Sequence, residues 1–164
     1  MFRLSRLRVV EIGVALLLTL AALVFVGLAV WAVEQFDIRV MDAWARPTVG
    51  QGTSTAAYMT IVNGGTADDV LKGARSPKIK AVELHQTTMT PDGVMQMRQV
   101  EEGLPIPAGG SLALAPGGAH LMLIGLDEPI HEGDQVTLTL EFANAAPIEV
   151  AVPVAAEAPS LDKD

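Results

Sequence analysis

The sequence predicts an all-β sandwich domain of about seven to nine short strands. Between residues 36 and 154, short apolar runs are interrupted by Gly, Pro, Asn or Asp at intervals of roughly eight to twelve residues. No long apolar pattern with a helical period occurs in that region. Residues 135–142 alternate apolar and polar side chains, as a strand with one buried face does. Together these features are typical of two packed antiparallel sheets.

The candidate strands are short apolar or alternating segments. In chain order they are residues 36–42, 55–63, 69–74, 79–86, 94–100, 111–115, 120–125, 135–142 and 147–153. The connections at 63–65, 90–93, 108–110 and 116–118 contain Gly, Pro, Asn or Asp, which favour turns. Only four Phe, two Trp and one Tyr are present, so the predicted core is largely aliphatic.

The N-terminal region predicts a membrane anchor over residues 1–33. Residues 12–33 contain no charge and no Pro, and a helix of that length spans roughly 30 Å of hydrocarbon. A cleaved signal peptide is the alternative, but its apolar region usually has about 7 to 15 residues and ends in small side chains. Here Trp31 stands near the end of a longer run, which favours an uncleaved anchor. Arg3, Arg6 and Arg8 precede that run, so residues 34–164 are expected outside the cytoplasm.

Charge and cysteine content exclude several functions. The chain has 11 basic and 19 acidic residues, a net charge of −8. Setting aside Arg3, Arg6, Arg8 and Glu11 leaves eight basic against eighteen acidic residues, so nucleic-acid binding is not expected. The acidic tail at 155–164 is predicted to be disordered. Cysteine is absent, which excludes disulfides, thiolate metal sites and thiol nucleophiles.

Methionine and histidine are concentrated between residues 85 and 122, which contain four of the seven Met and two of the three His. His120 and Met122 lie two residues apart in a predicted strand and therefore share a face. A predicted hairpin around residues 90–93 brings His85 near Met97. Counting outward from a tight turn places His85 opposite Arg98, so His85 and Met97 share a face only if a bulge or a longer loop intervenes.

Two histidines and two methionines favour a copper ion. Thioether sulfur is soft and uncharged and imidazole suits copper, so the set His85, Met97, His120 and Met122 favours Cu(I) over hard ions. Zinc more often recruits thiolates or carboxylates. Because imidazole must lose its proton to bind a metal, affinity is expected to weaken in acid.

The other methionines and the third histidine have simpler interpretations. Met41 and Met59, isolated in strands, are expected to fill the core. Met89 and Met95 are expected to pack against a loop or a neighbouring strand, although either could substitute as a ligand if the hairpin register differs. His131 lies in a polar stretch and is expected to be a solvated turn residue.

Residues 42–152 resemble the periplasmic PCu(A)C-type copper chaperone family. The segments that carry the resemblance are Asp42-Ala43-Trp44-Ala45-Arg46-Pro47, Ala57-Tyr58-Met59-Thr60-Ile61, Glu83-Leu84-His85, Val94-Met95-Gln96-Met97-Arg98, Ile106-Pro107-Ala108-Gly109-Gly110 and Pro116-Gly117-Gly118-Ala119-His120-Leu121-Met122-Leu123. In that family the metal signature is a His, often followed by Met, then a Met about ten residues later and a His-x-Met some twenty residues after that. His85, Met97, His120 and Met122 occupy these positions, and Gln86 stands where an optional Met can follow the first His.

The resemblance implies a cupredoxin-like or immunoglobulin-like sandwich that binds copper, preferably Cu(I), and passes it to a copper-accepting protein. In this family the recipient is typically a cytochrome c oxidase subunit or its assembly factor, during assembly of the dinuclear copper centre. Combined with the anchor, it predicts a single-pass inner-membrane protein with its main domain in the periplasm, expected to be a monomer. The alternatives are a periplasmic copper buffer without a dedicated recipient and a structural sandwich without metal. An enzyme is not expected, because no catalytic triad, carboxylate pair or phosphate loop stands out.

Overall fold

The computed structural model describes residues 36–158, which form two β-sheets. Their ten strands are β1 (Ile38–Ala45), β2 (Ser54–Asn63), β3 (Asp69–Arg75), β4 (Ile79–Met89), β5 (Met95–Gln99), β6 (Leu104–Ile106), β7 (Ser111–Leu114), β8 (Ala119–Leu126), β9 (Gln135–Phe142) and β10 (Ile148–Pro153). Within these residues there is no helix long and apolar enough to cross a membrane. The predicted anchor, residues 1–33, and residues 159–164 of the tail lie outside the described residues.

The strands divide into a six-stranded front sheet and a four-stranded back sheet. The front sheet has the order β1-β2-β8-β4-β5, and β7 also pairs with β2. The back sheet has the order β10-β9-β3-β6. All strand pairs in both sheets are antiparallel. The predicted all-β, two-sheet architecture is therefore confirmed.

An aliphatic core lies between the two sheets. In β9, Leu138 and Leu140 are fully buried, as the alternating sequence predicts. In β8, Leu121 and Leu123 are fully buried on the inner face of the front sheet. Because neighbouring residues of a strand point to opposite faces, this packing turns the side chains of residues 120 and 122 to the outer face.

Each of the nine predicted strands corresponds to an observed strand, but the structure contains a tenth, β6. Strand β6 has only three residues, one of which is Pro105. A segment that is so short and contains a proline is typical of a loop, so the sequence does not predict a strand there. Because β6 is the edge strand of the back sheet, the missing N–H of Pro105 can face away from the ladder. The expected range of seven to nine strands was therefore too low by one.

The first strand runs three residues further than predicted, since its pairing with β2 resumes beyond a bulge. The register with β2 shifts between Met41 and Trp44, and Asp42 has a φ of 53°. Asp tolerates the left-handed region better than most residues do. Beyond the bulge, Trp44 lies directly opposite Tyr58 of β2.

Candidate metal centre

Three adjacent strands of the front sheet, β5, β4 and β8, carry the four candidate ligands. The pairing of β4 with β8 places His85 directly opposite His120 and Glu83 directly opposite Met122. Leu84, between Glu83 and His85 in β4, points into the core. Because neighbouring residues of a strand point to opposite faces, the candidate ligands lie on the outer face of the sheet.

The β4–β5 hairpin places Met97 on the same face as His85. Gly93 has a φ of 79° and donates its N–H to Thr90 O, and Thr90 pairs across the hairpin with Val94. The loop thus has three residues, and the third of them, Gly93, adopts the left-handed conformation after a tight turn. This extra residue shifts the register by one, so His85 lies opposite Gln99 and not opposite Arg98 as counting from a tight turn suggested.

With that register, Met97 lies opposite Thr87. Residues 85 and 87 share a face of β4, and residues 97 and 99 share the same face of β5. Met97 is therefore a diagonal neighbour of His85, a position at which Cβ atoms are roughly 7–8 Å apart and long side chains can still meet. The longer loop, which the sequence left open as one possibility, is the one that forms.

The two imidazole rings lie edge to face. Their centroids are 5.8 Å apart and their planes are inclined by 63°. The His120 side chain is buried, with 4% of its surface exposed, and the His85 side chain is 16% exposed. Two polar rings thus occupy a largely dry position on the sheet, where each nitrogen needs a partner.

Each ring has one nitrogen held by a hydrogen bond. His85 Nε2 lies 3.0 Å from the Glu83 carboxylate, and His120 Nδ1 lies 3.1 Å from Gly118 O. Both partners are acceptors, so the ring nitrogens must donate. The unprotonated nitrogens of the neutral rings are then His85 Nδ1 and His120 Nε2, which is how metal-binding histidines are commonly oriented.

His85 Nδ1 is buried and has no hydrogen-bond partner. Among the residues that the structure describes, it is the only buried side-chain nitrogen or oxygen in this condition. A buried polar atom without a partner costs about 1–3 kcal/mol, so its presence calls for a specific explanation. A lone pair reserved for a metal ion supplies one.

A cleft of about 370 Å³ opens on the outer face beside the two rings. Met97, His120 and Met122 line it, together with Tyr58 and Arg46. His85 does not line the cleft but adjoins it through the ring of His120. The structure therefore places all four candidate ligands in one neighbourhood, with Met97 most exposed at 55%.

Aromatic side chains flank the histidine pair in a row across the sheet. The Trp44 and Tyr58 rings have centroids 4.8 Å apart, and the Tyr58 and His120 centroids are 6.3 Å apart. The Arg46 guanidinium lies 5.7 Å from the centre of the Tyr58 ring. The sequence pattern alone gives these residues no role at the site, because the bulge that aligns Trp44 with Tyr58 is not evident in it. The Tyr58 ring lies beside His120, and Arg46 places a positive charge at the cleft.

The remaining methionines and His131 differ partly from expectation. Met59 is buried in the core, as predicted. Met41 was expected in the core but is 52% exposed, because it precedes the bulge in the outermost strand. Met89 and Met95 were expected to pack against neighbours but are 70% and 61% exposed at the end of the hairpin. His131 is an exposed turn residue beside Asp134, as predicted.

The donor set determines which ions fit. Within residues 36–158, no group of three or more His, Cys, Asp or Glu side chains is arranged to hold a metal. The outer-face set instead combines two imidazoles and two thioethers, which suits a soft monovalent ion such as Cu(I).

Known proteins resemble this chain in sequence and in fold. The family model "Putative lipoprotein LpqE-like" matches residues 38–154. A relative named "Putative lipoprotein Lxx21020", from Leifsonia xyli subsp. xyli, is 38% identical over 117 residues, which are 71% of this chain and 69% of that protein. This chain contains no cysteine to which a lipid could be attached.

Two solved structures also resemble the sandwich. The apo PCuAC domain from PmoF1 has a TM-score of 0.63 at 21% identity, covering 76% of this chain and all of that domain, which shows a shared fold. The Cu(I) form of DR1885 from Deinococcus radiodurans is 34% identical, with a TM-score of 0.55 over 70% of this chain and 75% of that protein. The chain therefore belongs to the LpqE-like family, and its sandwich is a domain of the PCu(A)C type.

Proposed function

We propose that this chain is a copper chaperone that carries Cu(I) on His85, Met97, His120 and Met122. The buried, unpartnered Nδ1 atom of His85 is the observation that supports this site most directly. Support for copper as the cargo comes from DR1885, a relative solved with Cu(I).

The position of the site suits transfer. Met97 is more than half exposed on an edge strand, whereas His120 is buried. Met97 can therefore release the ion first, while the imidazoles still hold it. Because thioethers are uncharged, the site neutralises none of the ion's charge, and a recipient with thiolate ligands can take the ion away.

The location and the recipient belong to the same proposal. The N-terminal apolar segment, residues 12–33, holds the domain at the outer surface of the cytoplasmic membrane. The recipient is a copper-accepting protein there, such as a cytochrome c oxidase subunit or its assembly factor. The chain then acts by binding and transfer, without catalysis.

A Cu(I) titration with X-ray absorption of the bound ion tests the site. One equivalent of Cu(I) is expected to bind with both sulfur and nitrogen scatterers. Binding without sulfur, or no stoichiometric binding, contradicts the proposed ligand set.

A measurement in cells tests the chaperone role against the buffer role. Oxidase copper content is compared in cells with and without the chain, at limiting and at ample copper. A chaperone is expected to matter most when copper is scarce. A defect confined to excess copper favours a buffer.

A further inference from the structure

The end of the β4–β5 hairpin carries an exposed pair of methionines. Met89 and Met95 lie directly opposite each other in the last register position before the loop. Their side chains are 70% and 61% exposed, which is unusual for large apolar groups placed side by side. Directly opposite residues have Cβ atoms about 4.5–5.5 Å apart, so two flexible thioethers can converge on one ion.

This pair continues into the candidate metal centre. Residues 85, 87 and 89 share one face of β4, and residues 95 and 97 share the matching face of β5. Met95 also lines the same cleft as Met97, His120 and Met122. Met89, Met95 and Met97 thus share the face of the β4–β5 hairpin on which His85 lies.

We propose that Met89 and Met95 form an outer site that captures Cu(I) from a donor and hands it inward to Met97. This proposal rests on the function proposed above. Two thioethers without an imidazole hold the ion weakly, so the outer pair can pass it on to the four-ligand site. The gradient in ligand number, from two to four, gives the movement its direction.

The transfer proceeds by ligand exchange and involves no redox step. A Cu–S bond to Met89 or Met95 forms before a bond to the donor breaks, and the donor leaves with its own electron pair. Copper stays monovalent throughout. No proton moves at the outer pair, since a thioether carries none under these conditions.

A kinetic comparison of three forms of the chain tests the outer pair. They are the wild type, the double variant Met89→Leu/Met95→Leu and the control Met41→Leu, which alters a similarly exposed methionine on β1. Leu preserves the apolar bulk and removes only the sulfur. The rate of Cu(I) transfer from its bicinchoninate complex is followed by stopped flow, and the equilibrium affinity by competition.

The double variant is expected to load about tenfold more slowly, with its equilibrium affinity within about twofold of the wild type. Met41→Leu is expected to match the wild type in both. An unchanged loading rate in the double variant overturns the proposal. A large loss of equilibrium affinity also overturns it, because Met89 and Met95 would then belong to the inner site.

A second measurement probes the outer pair without relying on the inner site. In His120→Leu, added Ag(I), a redox-stable substitute for Cu(I), is expected to shift the ε-methyl NMR signals of Met89 and Met95 but not that of Met41. Unmoved Met89 and Met95 signals overturn the outer site. If these signals move while the wild type fails to hold Cu(I) tightly, the chaperone function fails and the outer site stands.

Discussion

His85 and His120 lie directly opposite each other across the β4–β8 pair, and each ring presents a different nitrogen to hydrogen-bonding partners. Glu83 holds Nε2 of the first ring and Gly118 O holds Nδ1 of the second. The free nitrogens are therefore Nδ1 on one ring and Nε2 on the other. This arrangement orders both imidazoles before any ion arrives, which reduces the entropy lost on binding.

Replacing His120 by Leu should separate binding from stability. Leu fills the buried position. Gly118 O loses the His120 ring as a donor but still accepts a hydrogen bond from the N–H of Thr87 at 3.1 Å. The free energy of unfolding of the apo chain is expected to stay within about 1.5 kcal/mol of the wild type. Cu(I) affinity, measured by competition titration, should fall by about a hundredfold, or about 2.7 kcal/mol.

The control for this change is His131→Ala, which removes an exposed histidine from the connection between β8 and β9. It should leave Cu(I) affinity unchanged. Equal affinity in His120→Leu and the wild type would remove His120 from the site.

The two methionine ligands are tested by Met97→Leu and Met122→Leu. Each change removes a sulfur donor and keeps an apolar side chain of similar size. Each should lower Cu(I) affinity at least about tenfold, equivalent to about 1.4 kcal/mol, and shift thermal unfolding of the apo chain little. Met41→Leu is the matched control. Should all three variants bind copper as the wild type does, the sulfur ligands lie elsewhere.

Glu83 is expected to position His85 for binding. A carboxylate that holds the second nitrogen of a metal-binding imidazole typically contributes a factor of about 10–100 in affinity. Glu83→Ala should lose about that much, and Glu83→Gln should lose less, since its amide oxygen can still accept the hydrogen bond.

Glu141→Gln serves as the control for these two variants. Glu141 lies on β9 of the back sheet, where it pairs with Arg75 at 3.0 Å. The Glu141→Gln variant should bind Cu(I) with the same affinity as the wild type. If Glu83→Ala does so as well, the contact with His85 has no part in binding.

Much of the strand pattern could be predicted because one face of each strand is buried. The alternation in β9 and the spacing of His120 and Met122 follow directly from the two-residue period of a strand. The register of the β4–β5 hairpin could not, because it depends on whether Gly93 closes a tight turn or adds a third loop residue. One residue in that loop decides whether Met97 faces His85.

Local side-chain contacts could be predicted from the sequence more readily than contacts between distant segments. The partner of His85 is Glu83, two residues away, and alternation alone places both on one face. By contrast, the packing of the Trp44 ring beside the Tyr58 ring depends on a bulge at Asp42, which has no strong signal in the sequence. The exposure of Met41, Met89 and Met95 likewise follows from their places at the sheet edge and the hairpin end.

The link between the two sheets gives a stability test that is independent of copper. Gly103 lies between β5 and β6 with a φ of 89°, and an added Cβ would come within 2.6 Å of Leu71 O. Gly103→Ala therefore combines a left-handed backbone, which costs about 1–2 kcal/mol, with a contact that only a backbone shift can relieve. Gly109 has a φ of 66° but open space around it, so Gly109→Ala carries the first cost alone.

Denaturant unfolding of the two apo variants measures the difference. Gly103→Ala should lose at least about 1 kcal/mol more free energy of unfolding than Gly109→Ala, because only the former must displace the main chain of β3. Equal losses of free energy of unfolding in the two variants would mean that the segment between β5 and β6 can shift away from Leu71 without a measurable loss of stability. The position of β5, and with it of Met97, would then be less firmly fixed by the back sheet than the close approach of Gly103 to Leu71 indicates.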